Sequence, residues 1–173
     1  MTCDAPVHIV PYDPGWPSRF EAERELLLEA IGPWLTAGRI EHVGSTAVPG
    51  LAAKPVIDIM AGVESLERSH AALAVLARYQ YCYAPYKADV MHWLCKPSPA
   101  HRTHHLHMVP IESPLWREQL AFRDYLRFHP DVASEYASLK IRLAGMHRFD
   151  RDAYTAAKAP FVQHVIGEAL RQS

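Results

Sequence analysis

An α/β sheet unit backed by a C-terminal helical bundle is the architecture this sequence predicts, and three observations predict it. The stretch from Ile40 to Met60 reads as strand, glycine turn, short helical passage and second strand. Around it, apolar residues at helical spacing give way to strand-like runs and return to helical spacing from Ser113 to the end of the chain. A length of 173 residues at 49% hydrophobic and 21% charged suits one compact unit, with a sheet part over about 1–111 and a helical part over about 112–173.

In chain order, His8-Ile9-Val10 is a short extended piece, and Pro11 to Pro17 is a rigid turn that leaves Pro17 in the first turn of a helix. Phe20, Leu27, Leu28, Ile31 and Leu35 recur at helical spacing, and Glu21, Glu23 and Glu25 suit the positive end of that helix. Gly32-Pro33 ends it. After the central stretch, Leu66, Leu73, Leu76 and Ala77 form one apolar face and predict a second long helix over 65–79. Strands are expected at 81–83, 90–96 and 103–109, bounded by turns such as Lys96-Pro97-Ser98-Pro99. Helices follow over 113–128 and 130–146, separated by His129-Pro130. Val132, Tyr136, Leu139, Leu143 and Met146 supply the apolar stripe of the second. The last helix, about 150–170, contains Pro160, which should kink it or delay its regular part.

No run approaches the roughly 18 apolar residues of a membrane span. The opening Met1-Thr2-Cys3-Asp4-Ala5-Pro6 lacks the basic-then-apolar order of a signal peptide, so a cytoplasmic protein with no membrane partner is expected. Cys3, Cys82 and Cys95 are odd in number and widely spaced, which argues for reduced thiols over a disulfide framework or a thiolate zinc cage. Net charge is −1, with residues 1–86 at −4 and 87–173 at +3. That is too weak for a duplex DNA binder but suits a small phosphate-bearing ligand held against the second half.

The chemistry-bearing residues fall in three groups. Gly44-Ser45 follows a strand and can offer backbone N–H groups and a hydroxyl to a phosphate, or it can be a plain turn with a serine cap. The patterns Gly-x-x-x-x-Gly-Lys-Ser/Thr and Gly-x-Ser-x-Gly are both absent. Asp58 sits in an apolar run, on one strand face with Val56 and Met60. It is a candidate metal ligand or base, or a carboxylate that pairs with an arginine or caps a turn. His101 to Val109 is dense in histidine. On a strand, His105 and His107 face one way while His104, Leu106 and Met108 face the other. With Asp58, and His42 as a further candidate, they would make the kind of two-histidine, one-carboxylate set that holds iron, zinc or manganese; otherwise they line a polar pocket. In the helical half, Arg123 and Arg127 lie one turn apart, as do Tyr154 and Lys158. Arginines can fork onto phosphates and Tyr154 can stack on a base, while salt-bridged faces, with Asp124 a partner for Arg127, are the simpler alternative.

With these residues in view, the sequence resembles the GrpB family of bacterial proteins, generally placed in the nucleotidyltransferase superfamily. The most specific strings are Glu41-His42-Val43-Gly44-Ser45-Thr46-Ala47-Val48-Pro49-Gly50-Leu51-Ala52-Ala53-Lys54-Pro55 and His104-His105-Leu106-His107-Met108-Val109-Pro110. Phe122 to Arg127 and Tyr154 to Lys158 add to them. The resemblance implies a nucleotidyltransferase-like mixed sheet with flanking helices, and a Gly-Ser turn that holds nucleotide phosphates. It further implies an Asp-x-Asp pair and a later carboxylate that hold two magnesium ions. Gly44, Ser45 and Asp58 match, but the second acid falls at Met60, and the later strand carries His105 and His107. Imidazole serves magnesium poorly.

Three expectations follow from the resemblance. The first is a nucleotidyltransferase-like enzyme with an altered metal centre. In it, Gly44, Ser45, Thr46, Lys54, Arg123, Arg127, Tyr154 and Lys158 hold the nucleotide, and Asp58, His105, His107 and His42 supply metal ligands, with Asp58 and His107 as the catalytic candidates. Magnesium or manganese, alternatively zinc or iron, is the expected ion. The second is a non-catalytic nucleotide- or coenzyme-binding accessory protein, since relatives look to occur fused to dephospho-coenzyme A kinase. The third is a metal-dependent hydrolase that uses the His105/His107 strand. A homodimer is compatible with each.

Overall fold

The computed structural model describes residues 5–172. Cys3 and the opening tetrapeptide lie outside the described residues. Val10 bridges Ala53 ahead of helix α1 (Trp16–Ile31), which has Pro17 in its first turn. A 3-10 turn over Gly32–Trp34 then leads to strand β1 (Leu35–Val43). Leu35 thus belongs to the sheet and not to the helix whose spacing it continues, because Gly32-Pro33 turns the chain before another helical turn forms. A second 3-10 turn (Ser45–Ala47) precedes β2 (Ile57–Val63).

The long helix expected over 65–79 is two short ones, α2 (Leu66–Ser69) and α3 (Ala72–Ala77). Ser69 Oγ donates back to the Ser65 and Leu66 carbonyls, and the Leu66 carbonyl also accepts from His92 Nε2. With that carbonyl taken by side chains, the i→i−4 ladder breaks after one turn. Next come β3 (Cys82–Ala84), β4 (His92–Pro97) and β5 (Arg102–Pro110). Three helices follow: α4 (Pro114–Phe128), α5 (Pro130–Met146) and α6 (Arg151–Arg171). Ser113 Oγ accepts from the Trp116 N–H and Asp150 from the Ala153 N–H, N-caps worth about 1 kcal/mol each. Helix α6 runs through Pro160. Met146, expected on the buried stripe of α5, is 67% exposed at the helix end.

The five strands form a mixed sheet in the order β1-β2-β5-β4-β3, in which β2 and β5 are parallel and the other pairs antiparallel. Ile57, Ile59, Leu94, Leu106 and Met108 turn to one face, against α1 and α3. Val43, Met60, Met91 and Val109 turn to the other, where Trp116 of α4 covers them. Between α4, α5 and α6, Phe122, Leu126, Tyr136, Val165 and Ile166 form a further core with Val48 and Leu51 of the β1–β2 connection. The helices are therefore anchored to the turn that follows β1, and the face carrying Asp58 looks into the space beside them. No helix among the described residues is long and apolar enough to cross a membrane.

Candidate functional site

Register places the first group. Asp58 pairs with His105 across the parallel β2–β5 ladder and Met60 with His107, so Asp58, His105 and His107 share one face. Asp58 Oδ1 lies 2.9 Å from His105 Nδ1 and 3.7 Å from His107 Nε2, and the ligand atoms of all three lie within 4.8 Å of one another. Two atoms each about 2.1 Å from one ion stand about 3.0–3.5 Å apart, so small side-chain shifts would bring this donor set onto a single divalent metal of the softer kind. Among the described residues His105 Nε2 is buried without a hydrogen-bond partner, an atom that a ligand or water would complete. Burial alone would raise the Asp58 carboxyl, but hydrogen bonds and charge from His105 and His107 outweigh it and hold it well below the usual carboxylate range. Burial lowers His105, against the pull of Asp58.

His42 does not join this group. It pairs with Ile59 in the antiparallel β1–β2 register, and one step of strand parity turns it to the opposite face. There it stacks on Phe20 at 4.6 Å and bonds Thr46 Oγ1 at 2.9 Å. Burial takes its pKa down to about 4. Met60 is buried in the core, so no second acid follows Asp58 on β2.

Gly44 has φ 71° and ψ −172°, a region essentially reserved for glycine. A Cβ built there would lie 2.7 Å from Asp58 Oδ2. The glycine therefore serves the turn and also lets the backbone pass against the carboxylate. Gly44→Ala is expected to cost about 1–3 kcal/mol of stability in denaturant unfolding and to move Asp58 off His105. An unchanged unfolding midpoint would count against this packing.

Ser45 meets a residue that sequence spacing does not reveal. Lys140 of α5, 2% exposed, donates from Nζ to Ser45 Oγ at 2.8 Å and to the Ala52 carbonyl. Tyr136, one turn earlier, also hydrogen-bonds Ser45. Lys158 Nζ lies 4.5 Å and Lys54 Nζ 5.3 Å from the ring centroid of Tyr154, whose buried hydroxyl has no hydrogen-bond partner among the described residues. Burial lowers Lys140 to about 7, with Lys158 and Lys54 pushing it the same way and Asp58 opposing. Burial and Lys54 take Lys158 to about 8, again against Asp58. The one sign of Lys140 in the sequence is its place four residues after Tyr136, on the buried side of the α5 stripe.

Depressed lysines make the folded state bind fewer protons than the unfolded chain between about pH 7 and pH 10.5, the ordinary lysine value. Stability without ligand should therefore rise with pH across that window. Lys140→Met should remove the part of the rise that begins near pH 7, as read by denaturant unfolding at pH 7 and 9, with the Lys158 part remaining. A profile identical in the variant would refute the assignment.

The structure places Arg123 and Arg127 outside the cavity that holds these groups. Arg123 bonds Glu41 at 2.9 Å, the His42 carbonyl at 3.1 Å and Asp124 at 2.7 Å. Arg127 Nε donates to the Ala47 carbonyl, and Asp124, its expected partner, is nearer Arg123. Both arginines tie α4 to β1 and its turn. The cavity has a volume of about 590 Å³ and is lined in part by Gly44, Ser45, Thr46, Lys54, Asp58, His105, His107, Tyr154 and Lys158. Thr46 lines it with its hydroxyl committed to His42. Trp93 of β4, Tyr86 and Lys87 of the segment after β3, and Arg102 at the start of β5 line it as well, residues that sequence reasoning did not single out.

With this geometry in place, likeness to known proteins is informative. The family model described as GrpB protein matches residues 6–168. A Pseudomonas aeruginosa protein of the UPF0157 group is 40% identical over 172 residues, covering 96% of this chain and 69% of its own. The glutamate-rich protein GrpB of Alkalihalophilus pseudofirmus is 36% identical over 168 residues, covering 94% and 95%. A dephospho-CoA kinase of Mycolicibacterium paratuberculosis is 33% identical, covering 91% of this chain and 44% of its own length. The crystal structure of the conserved protein GrpB from Enterococcus faecalis has a TM-score of 0.86 at 34% identity, covering 95% of this chain and 98% of that one.

More distant structures share the fold. The GLD-2/RNP-8 complex matches with a TM-score of 0.58 at 15% identity over 91% of this chain and 60% of that one. The MgGTP-bound Cid1 poly(U) polymerase matches with a TM-score of 0.51 at 16% identity over 78% and 43%. The fold is accordingly nucleotidyltransferase-like, and by its match along nearly the whole length the chain belongs to the GrpB family.

Proposed function

We propose that this protein binds a nucleotide or other phosphate ester together with one divalent metal ion, as a nucleotidyltransferase-like protein with an altered metal centre. What carries the reading is the meeting, in one cavity, of the buried Lys140, the half-buried Lys158 and a carboxylate–imidazole ligand set. Lys140 and Lys158 are held at lowered pKa beside Ser45 and Tyr154, an arrangement that an anion relieves. Lys54 adds to the same positive field. Asp58, His105 and His107 would hold the ion, which supplies Lewis-acid polarisation of a phosphoryl oxygen when bound. The two imidazoles favour manganese, zinc or iron over magnesium. Ser45, Lys140 and Lys158 would bind the phosphate beside that ion's ligands, and Gly44 lets the turn that carries Ser45 pass against Asp58.

The test is elemental mass spectrometry of the purified protein, with a thermal-shift series of nucleoside triphosphates and coenzyme A precursors with and without manganese. A ligand specific for the folded state raises the melting temperature. Stabilisation by a nucleotide only with a divalent ion supports the reading. A copurifying transition metal with no nucleotide effect supports a metal-dependent hydrolase instead, the alternative favoured by the replacement of the second acid by Met60. Binding without turnover supports an accessory role, for which the likeness to a dephospho-CoA kinase speaks.

A further inference from the structure

The lysines and Ser45 occupy one flank of the metal-ligand group. The other flank is built differently, from β4, β5 and the segment after β3. Trp93 pairs with His107 in the antiparallel β4–β5 register, so its indole stands on the same sheet face as His105 and His107. Its ring centroid is 5.2 Å from that of His105. The Arg102 guanidinium lies 5.1 Å from the same indole, and the Tyr86 ring meets it edge-on at 6.4 Å. Lys87 Nζ stands 5.6 Å from the centroid of Tyr86, which is 49% exposed.

All four side chains line the cavity, as do the acids Glu118 and Asp152. Tyr86 is 49% exposed and Trp93 partly exposed, so both aromatic rings line the cavity with surface on which a planar ring can stack, beside the cations Arg102 and Lys87. The cavity volume of about 590 Å³ is of the size that encloses a nucleoside-sized molecule, well beyond a phosphate group.

We propose that the Tyr86–Trp93–Arg102 flank is a second subsite, which binds a planar heteroaromatic ring of nucleoside type, so that the metal group stands between that ring and the phosphate held by the lysines. This rests on the phosphate-and-metal reading of the same cavity and adds to it the groups that select the ligand. The shared chemistry is a ring that stacks on indole and phenol. It belongs either to the nucleotide itself or to a second molecule that accepts the transferred group.

The experiment compares tripolyphosphate, adenosine and ATP, each with manganese, on the wild type, Trp93→Ala, Trp93→Phe and Lys158→Gln. Binding is read by calorimetry and by tryptophan fluorescence. ATP is expected to bind at least tenfold more tightly than tripolyphosphate. Trp93→Ala should reduce that advantage below threefold, with tripolyphosphate affinity moving less than twofold, and Trp93→Phe should retain most of it. Lys158→Gln should weaken tripolyphosphate instead. An ATP advantage that is absent, or that survives in Trp93→Ala, overturns the subsite when adenosine also shows no binding that depends on Trp93.

If tripolyphosphate does not bind, or ignores Lys158→Gln, the phosphate reading fails. Adenosine alone then decides the subsite, through fluorescence quenching present in the wild type and lost in Trp93→Phe. Exclusion of adenosine from ATP-saturated protein assigns the ring to the nucleotide, and additive binding assigns it to an acceptor; both support the subsite. Trp93→Phe, which keeps an aromatic ring on β4, guards against misfolding of the alanine variant.

Discussion

Asp58→Asn is expected to leave the protein folded and to lower its affinity for a divalent metal by at least about 100-fold, with metal content falling from near one ion per chain to near none. The amide has the shape of the carboxylate, and its oxygen can still accept from His105 Nδ1, so the contact across β2 and β5 survives. What is lost is the negative charge that would bind the proposed ion and that offsets Lys140 and Lys158. Two effects should therefore separate. Manganese-dependent stabilisation by ATP disappears, while tripolyphosphate binding without metal is kept or strengthened, because the cavity becomes more positive. Elemental mass spectrometry and thermal shift read both. An Asp58→Asn variant that still purifies with metal would place the ion elsewhere.

The carboxylate also contributes to stability. Its folded pKa is depressed, so that contribution is present above the ordinary value of 3.8 and is lost as pH falls through the folded value. Wild type and Asp58→Asn should thus converge in stability under strong acid and differ most near neutrality.

The largest stability effect is expected on the opposite sheet face, from Glu23→Ala. Glu23 accepts from Lys96 Nζ at 2.6 and 2.7 Å and from the Tyr81 hydroxyl at 2.7 Å, and it is 6% exposed. The cluster pins α1 to β4 and to the residue that precedes β3. Burial and the Glu23 carboxylate both raise the Tyr81 hydroxyl, which stays protonated and donating at all ordinary pH. Removing the acid leaves an ammonium and a hydroxyl buried without their partner, a change that costs about 3–5 kcal/mol. For a chain of this length that lowers the melting temperature on the order of 10 °C.

Glu23→Gln, which can still bond Tyr81 and one Lys96 proton, should lose clearly less. Joint replacement of Glu23 and Lys96 by Leu and Met should recover most of the loss, since an apolar pair of similar volume can replace a buried ion pair. Metal content should not change in any of these variants, because the cluster and the Asp58 group lie on opposite faces of the sheet. A destabilisation under about 1 kcal/mol in Glu23→Ala would show the pair to be solvated.

Local pattern determined a large part of this protein. The strand, glycine turn and strand around residues 40–60 follow from apolar runs and a glycine conformation, and the start of α4 from a serine cap with proline behind it. Strand parity alone put Asp58 with Met60, and His105 with His107, because side chains alternate at every residue. The family strings, read as a resemblance, brought Ser45, Lys54, Tyr154 and Lys158 to the same site, and the structure gathers them around one cavity.

The tertiary structure alone decided how separate segments meet. His42 was lost to the site because the β1–β2 register, fixed between two strands, set its parity against that of Asp58. Arg123 and Arg127, which spacing left open between forking onto phosphate and pairing on a salt-bridged face, are held by Glu41, Asp124 and backbone carbonyls of the first strand and its turn. Glu23, one of three acids that the sequence sets towards the positive end of a helix, lies beyond the first turn of α1 and is paired inside with a lysine 73 residues away. Lys140 acquired its lowered pKa by packing under Ser45, 95 residues earlier in the chain. Secondary structure obeys interactions within a few residues, whereas burial and charge pairing depend on distances in space, and those exist only once the helices have closed over the sheet.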